Sequence, residues 1–286
     1  MAKIAVIGDY MTDIWWCVSG KGTSQDSGCS RFGVGSVIEM DGGAGNVAKN
    51  LEKLGNTVLR LGYNPHSRFQ NKKHRLYDTK TRTQIVRWDD NDYSEPLYTE
   101  DLRPLLDFQP DAIVISDYGK GAVTNEVVRW LQTNTRCPVY VDTKRGPEPY
   151  VAFTDRELVF FPNQLEYTAH KDLYNQFPVV FLKKGRFGAV ILEYGVQTAE
   201  SPATCPHPKS TCGAGDVTIA VAVHLATLSS GLDRGQSNLE NIMNIVGESI
   251  DASSFTCQVK ENQLPGIRIN PYSRGREEDG PQRLGI

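Results

Sequence analysis

The chain has 286 residues, a length that suits one large α/β domain or two small ones. Its 31 basic and 34 acidic side chains leave a formal charge of −3, which gives no electrostatic reason to expect nucleic acid or an acidic membrane surface as a partner. With 39% hydrophobic and 23% charged residues the chain is neither disordered nor fibrous, and no apolar run has the length of a membrane span.

Six cysteines are scattered along the chain without a Cys-x-x-Cys pair, and the five histidines do not cluster with them. This pattern favours free thiols in a reducing compartment over a disulfide or zinc framework. The opening residues 1–9 contain too short an apolar run for a secretory signal, and they predict a first strand. We therefore expect a soluble, cytoplasmic protein that binds neither nucleic acid nor membrane.

Short apolar runs alternate with helical patterns, which predicts an α/β fold with a doubly wound sheet. The runs are rich in β-branched or aromatic residues, as in strands buried on both faces of a parallel sheet, and lie at residues 4–7, 112–115, 139–141, 158–161 and 179–182. The spacing of apolar residues predicts helices over 46–54, ending before Gly55, and over 125–132, capped by Thr124. Ligands of such sheets bind beyond the carboxyl ends of the strands.

Two segments depart from this parallel pattern. Residues 14–40 and 79–90 are polar and β-prone in alternation, which predicts antiparallel strands with one solvated face, in a small β flap beside the main sheet. Residues 270–286 are rich in Arg, Glu, Gly and Pro, so we expect a flexible tail after a domain over 1–269.

A turn of small residues opens directly into an apolar helix near residue 213. Gly213, Ala214 and Gly215 leave their backbone N–H groups uncovered at the helix N-terminus, an arrangement that attracts a phosphate or a developing oxyanion. Asp216, at the mouth of the turn, is placed to take a proton from an attacking hydroxyl. On this stretch alone, a tight turn with Asp216 as a helix cap is an equally good interpretation.

Two further stretches favour a polar ligand. Residues 41–51 form a glycine-rich entry into a helix, in which Asn46 can bond hydroxyl groups, although a capping Asn is the commoner explanation. Residues 161–166 end a strand and place Asn163 and Glu166 on one side of a starting helix, where a carboxylate could hold a metal-bound water. The alternative is that Glu166 is a first-turn acid favoured by the helix dipole. Neither a dinucleotide fingerprint nor a P-loop is present.

An ordered set of motifs resembles the ribokinase-like carbohydrate kinases, the phosphofructokinase-B family. The stretches that carry this resemblance are residues 8–13, 42–48, 117–121, 142–144, 162–166, 183–188 and 213–216. Within the family, residues 8–13, 83–87 and 116–121 are most similar to heptose 7-phosphate kinases, which resemble the kinase half of bifunctional heptose kinase/nucleotidyltransferases. The resemblance implies a three-layer domain with a mainly parallel central sheet and a small β lid over the sugar.

The resemblance also implies ATP- and Mg²⁺-dependent phosphorylation of a sugar hydroxyl. Asp216 matches the catalytic base, and Gly213, Ala214 and Gly215 match an anion hole for the transferring phosphoryl group. Asn163 and Glu166 match a motif that organises magnesium through water. The other implied roles are nucleotide binding by Lys183, Gly185 and Gly188, sugar binding by Asp13, Gly43 and Asn46, and sugar or sugar-phosphate binding by Gln84, Arg87, Asp117 and Lys120.

The sequence departs from the family pattern at four places, one of which is Thr143, where the heptose kinases tend to have proline. Ser210 stands where the family usually has an acid that helps hold a monovalent cation, which weakens the case for activation by potassium and leaves that dependence open. The chain between Gly62 and Thr79 is shorter than in typical members, and the match thins past Asn238 on the adenine side, which leaves the nucleotide open.

The leading functional hypothesis is phosphorylation of D-glycero-D-manno-heptose 7-phosphate at its anomeric hydroxyl to give the 1,7-bisphosphate. One alternative is a ribokinase-like kinase for another sugar, sugar phosphate or nucleoside. A different class is a catalytically silent binding or regulatory protein that keeps the fold. We also expect a homodimer through the lid, whose apolar residues include Trp15, Trp16, Phe32 and Val34, unless these cover the chain's own substrate pocket.

Overall fold

The computed structural model describes residues 1–64, 71–153, 158–203 and 212–229. Ser210, the segment past Asn238 and the expected tail over 270–286 lie outside the described residues. The strands, in chain order, are β1 (Lys3–Gly8), β2 (Tyr10–Thr23), β3 (Ser30–Gly43), β4 (Thr57–Leu61), β5 (Asn71–Asp78), β6 (Thr83–Asp90), β7 (Ala112–Asp117), β8 (Val139–Thr143), β9 (Leu158–Phe160), β10 (Val179–Lys183), β11 (Ala189–Glu193) and β12 (Val196–Ser201).

The helices are α1 (Ala44–Lys53), α2 (Pro104–Phe108), α3 (Asn125–Asn134), α4 (Gln164–Ala169), α5 (Lys171–Tyr174) and α6 (Ala214–Ser229), with single 3-10 turns at Thr99–Leu102, Glu148–Tyr150 and Gly185–Phe187. No helix within the described ranges combines the length and apolar character that crossing a bilayer requires.

The large sheet has the strand order β12-β11-β10-β9-β8-β7-β1-β4. Pairing is parallel from β10 to β4, and β11 and β12 join antiparallel at one edge. One face packs against α1 and α6, where Ile4 and Val6 of β1 contact a cluster that includes Leu51 and Ile219. The other face packs against α3 and the aromatic residues around Phe160. The predicted three-layer α/β fold with a mainly parallel sheet is therefore confirmed.

The five predicted parallel strands and both predicted helices are present. Thr124 caps α3 by accepting a hydrogen bond from the backbone N–H of Val127 at 3.2 Å. Gly55 follows α1 with φ +88°, the left-handed conformation expected after a helix C-terminus. The buried apolar helix predicted after residue 213 is α6, whose residues from Val217 to Val223 are buried.

A second sheet, called the small sheet below, has four strands in the order β3-β2-β5-β6. Segments 14–40 and 79–90 supply β2, β3 and β6, which pair antiparallel with their neighbours in the sequence. Strand β5, which pairs parallel with β2, was not predicted. Its polar run, from Lys72 to Arg75, lacks the apolar alternation of a strand, and long basic side chains lie along the sheet instead.

Candidate active site

Asp9 shapes the loop that follows β7. Its carboxylate is fully buried and accepts three backbone hydrogen bonds, from the N–H groups of Tyr118 at 2.8 Å, Lys120 at 3.1 Å and Ala122 at 3.0 Å. Hydrogen bonds to a buried carboxylate are among the stronger ones in proteins. The loop is thereby fixed in a conformation that directs Tyr118 toward the N-terminus of α6.

Asp216 lies in the first turn of α6 and is 7% exposed. Its Oδ2 accepts a hydrogen bond from Nδ2 of Asn46 at 2.8 Å, and its Oδ1 accepts one from the Tyr118 hydroxyl at 2.9 Å. Asn46 belongs to α1 and Tyr118 to the loop after β7, so three separate elements hold one carboxylate. The carboxylate is therefore oriented as well as buried.

The protonation of Asp216 predicts a pH dependence. Burial raises the pKa of Asp216 to about 6, although the hydrogen bonds from Asn46 and Tyr118 lower it. A general base works as the carboxylate, which predominates above pH about 6 and is lost to protonation below it. We expect kcat/KM to be level above that pH and to fall about tenfold per pH unit well below it. An acid limb near pH 4 in the pH–rate profile would contradict this.

The turn before Asp216 allows a ligand to approach the backbone of the turn closely. Gly213 has φ +75°, and the first N–H groups of α6 have no acceptor in a preceding helical turn. A Cβ at Gly215 would lie 3.4 Å from Nζ of Lys183 and 3.9 Å from a carboxylate oxygen of Asp142, so both side chains reach this turn. The predicted anion hole thus combines helix N–H groups with the Lys183 ammonium group.

A chain of four alternating charges runs from this turn along the edge of the sheet. Asp142 receives hydrogen bonds from Lys183 at 2.7 Å and from Lys144 at 3.0 Å, and Lys144 also contacts Glu166 at 2.6 Å. Burial alone would raise the pKa of Asp142, but the two lysines outweigh it and hold the pKa below its ordinary value. The network connects the predicted anion hole to the predicted magnesium motif.

Glu166 and Asn163 form a capping box at the start of α4. Asn163 accepts the N–H groups of Leu165 and Glu166 at 2.9 Å each, and Glu166 Oε2 accepts the Asn163 N–H at 2.8 Å. Both oxygens of Glu166 therefore have partners, since Oε1 contacts Lys144. Mg²⁺ keeps several waters and binds through few carboxylates plus phosphates, so these residues fit an ion held through water.

Lys183, Gly185 and Gly188, predicted to bind nucleotide, lie at the end of β10 and in the turn to β11. A Cβ at Gly185 would meet no atom within 4 Å, so the turn is open there. Gly188 has φ +90°, and a Cβ would lie 2.0 Å from the carbonyl oxygen of Ser201. The packing of the turn against β12 thus accounts for Gly188.

The residues predicted to bind sugar lie where the small sheet meets α1. Asp13 of β2 forms an ion pair with Arg75 at 3.1 Å, and Gly43 precedes α1 with φ +55°. A Cβ at Gly43 would lie 2.6 Å from the Asp9 carbonyl oxygen. Asn46, one turn into α1, contacts the candidate base directly. Asp13 and Asn46 thus bracket the same region from different elements.

The four weaker sugar-phosphate candidates all have protein partners. Gln84 accepts a hydrogen bond from Arg75 at 3.2 Å, and Arg87 forms a two-bond pair with Asp89. Lys120 pairs with Asp92. Asp117 is 1% exposed and accepts hydrogen bonds from Arg145, Thr143 and the N–H of Gly119, which favours a role in shaping its loop.

Several residues of this region had no role assigned from the sequence, among them Asp9, Lys73, Arg75, Tyr118, Asp142 and Lys144. Tyr118 and Lys144 lie inside the motifs at residues 117–121 and 142–144, but the family resemblance gives neither side chain a role. Lys73 and Arg75 lie in β5, and the register that aligns them with Asp13 and Trp15 of β2 was not predicted.

Curated proteins are similar to this chain in sequence. HldE of Campylobacter jejuni subsp. doylei, named as a bifunctional protein, is 33% identical over 175 residues, which are 50% of this chain and 36% of that protein. HldE of Hahella chejuensis is 25% identical over 315 residues, 93% of this chain and 65% of that protein. The chain thus spans about a third to two thirds of the length of these relatives. No protein-family model matches it.

Solved structures share the fold. The nucleoside kinase of Methanocaldococcus jannaschii, described as an archaeal member of the ribokinase family, superposes with a TM-score of 0.60 at 18% identity, covering 91% of this chain and 93% of that one. Ribokinase of Arabidopsis thaliana, solved with ribose and ATP, gives 0.61 at 15% identity, over 91% and 93% of the two chains. The expected resemblance is confirmed: this chain has the ribokinase-like fold and is similar in sequence to the HldE proteins.

Proposed function

We propose that the protein is an ATP-dependent sugar kinase in which Asp216 is the general base. The observation that carries this proposal is the buried carboxylate of Asp216, oriented by Asn46 and Tyr118 beside the glycine turn at the start of α6. A helix capping role would need none of this orientation, because a capping side chain bonds its own backbone N–H groups. The names of the relatives and structural neighbours support the same class of activity.

The mechanism follows from these positions. The Asp216 carboxylate takes the proton of the sugar hydroxyl, whose oxygen then forms a bond to the γ-phosphorus of ATP as the bond to ADP breaks. The N–H groups of Gly213, Ala214 and Gly215, together with Lys183, stabilise negative charge on the transferring group. Bound magnesium would neutralise phosphate charge, held through water near Glu166 and Asn163.

We further propose that the acceptor is heptose 7-phosphate, phosphorylated at its anomeric hydroxyl. The similarity to HldE proteins and the basic side chains of the small sheet, which suit a phosphate on the acceptor, support this choice. Another sugar, sugar phosphate or nucleoside remains the alternative, and the nucleoside kinase among the structural neighbours is its support. A silent binding protein would have no need for the alternating network from Lys183 to Glu166.

A panel of acceptors tests this function. Purified protein is incubated with Mg²⁺, ATP and, separately, heptose 7-phosphate, unphosphorylated heptose, ribose, fructose 6-phosphate and adenosine, and ADP formation is measured. We expect turnover with heptose 7-phosphate above all the others. The Asp216→Asn variant, purified in parallel, reports any contaminating kinase. Absence of transfer to every acceptor would overturn the kinase proposal, and preference for another acceptor would overturn only the substrate.

Two expectations accompany this proposal. The small sheet exposes apolar side chains, among them Val34, Val37 and Trp88. We therefore still predict a homodimer through this sheet, and light scattering can measure the molar mass that tests it. A cytoplasmic location, where sugar phosphates and ATP are made, is part of the same proposal.

A further inference from the structure

Lys73 of β5 is a buried cation that faces the candidate base. The residue is 7% exposed, and its ammonium group lies 4.5 Å from the centroid of the Tyr118 ring. The hydroxyl of that same ring donates to Asp216. The side chain thus extends from the small sheet into the space beside the N-terminus of α6.

The other cations described for this site each have a carboxylate at ion-pair distance. The pairs are Arg75 with Asp13, Arg87 with Asp89, Lys120 with Asp92, and both Lys144 and Lys183 with Asp142. Lys73 forms no ion pair or hydrogen bond with any residue in the described part of the chain, and its ammonium group lies over the Tyr118 ring instead. A buried ammonium group is costly unless it is paired.

The strand pairing concentrates positive charge around Lys73. Arg75 of β5 lies directly opposite Arg87 of β6, a like-charge pair that destabilises a sheet. Lys73 lies opposite Asp89, whose two oxygens are bonded to Arg87. Asp13 and Asp89 are thus paired with the two arginines and not with Lys73, and the remaining acid that acts on Lys73 is the candidate base Asp216.

The protonation equilibrium of Lys73 agrees with this geometry. Burial lowers the pKa of Lys73, and the nearby Asp13 only partly restores it. An incoming anionic group would stabilise the ammonium form, because opposite charges interact strongly where water is excluded.

We propose that Lys73 is a specificity-determining residue, which binds an anionic phosphate group on the sugar acceptor and gives up its contact with the Tyr118 ring to do so. This inference rests on the proposed kinase function and assigns the recognition of the phosphate to a residue that the sequence motifs do not contain. An acceptor without the phosphate leaves the ammonium group unpaired. Lys73 therefore favours phosphorylated over neutral acceptors, while Asp216 acts on both.

Kinetics with a matched pair of acceptors tests this inference. Lys73→Met, Lys73→Arg and the control Lys72→Met, whose side chain projects to the opposite face of β5, are assayed with heptose 7-phosphate and with unphosphorylated heptose. For Lys73→Met we expect KM for the phosphorylated acceptor to rise about 10- to 100-fold with little change in kcat. The neutral acceptor should be used as by the wild type. Lys73→Arg should recover part of the affinity, and Lys72→Met should match the wild type.

The outcomes separate this inference from the proposed function. An equal loss for both acceptors would make Lys73 a structural residue, and no loss for either would place the phosphate elsewhere; both results overturn the inference while the kinase function stands. If the wild type transfers phosphate to neither acceptor, the proposed function fails. Calorimetric titration of heptose 7-phosphate into wild type and Lys73→Met then still decides the inference. The inference requires weaker binding to the variant, and equal binding would overturn it.

Discussion

The Asp216→Asn variant is expected to lose about 10³-fold in kcat. Asparagine has the shape of aspartate and can keep a hydrogen bond to Asn46 or Tyr118, but it cannot take up the proton of the acceptor hydroxyl. The N–H groups at the start of α6 are untouched, so the dissociation constant for ATP should stay near the wild-type value. Steady-state kinetics gives kcat, and calorimetry gives nucleotide affinity.

The matched control for this variant is Asp172→Asn. Asp172 also lies in the first turn of a helix, but its side chain is exposed, so this change should leave kcat unaltered. Full activity of Asp216→Asn would place the base at another residue. Loss of nucleotide binding together with activity would mean that Asp216 maintains the structure of the turn instead of acting on the acceptor.

The Asp9→Ala variant is expected to lose about 4 kcal/mol of the free energy of unfolding, because one buried and two partly buried N–H groups lose a charged acceptor at once. The loop after β7 would no longer hold Tyr118 against Asp216, so activity should fall with stability. Urea denaturation followed by circular dichroism measures the change.

Two further variants keep this prediction testable if Asp9→Ala does not fold. Asp9→Asn retains a carbonyl oxygen for part of the loop and should lose less stability than Asp9→Ala. Asp111→Ala removes an exposed carboxylate that accepts one backbone hydrogen bond, from Lys3 at 2.8 Å, and should cost about 1 kcal/mol or less. Equal stability of Asp9→Ala and Asp111→Ala would contradict the role of the buried acceptor.

The central parallel strands β1, β7, β8, β9 and β10 could be predicted from the sequence because they are largely buried on both faces. Residues 112–115 and 139–141 are continuous apolar runs for that reason, and a few neighbouring residues in the sequence are enough to recognise such a strand. The edge strand β4, in contrast, is only partly buried and was not predicted. Strand β5 could not be recognised in this way. Its two lysines and one arginine lie in a strand because β2 and β6 pair with it on both sides and because Asp13 of β2 forms an ion pair with Arg75.

The candidate site shows the same division. The turn from Gly213 to Asp216 is local, and its chemistry follows from residue types and order alone. The partners of Asp216 are not local, since Tyr118 lies 98 residues away and Asn46 lies 170 residues away in the chain. Likewise, Lys144 has no assigned function until the fold brings Glu166 against it. Tertiary contacts of this kind leave no pattern in a single sequence.

Asp216 is the only acidic residue of α6, and the helix behind it is apolar on almost every side. The tightness with which α6 fits the interior therefore sets how strongly the carboxylate holds its proton. Substitutions such as Val223→Ala, two turns beyond the carboxylate, can loosen that fit, admit water and shift the acidity range of the protein without altering any group that touches a ligand. Substitutions in the hydrophobic core alone can thus change the pKa of Asp216 and adapt the protein to a more acidic or more alkaline cell interior.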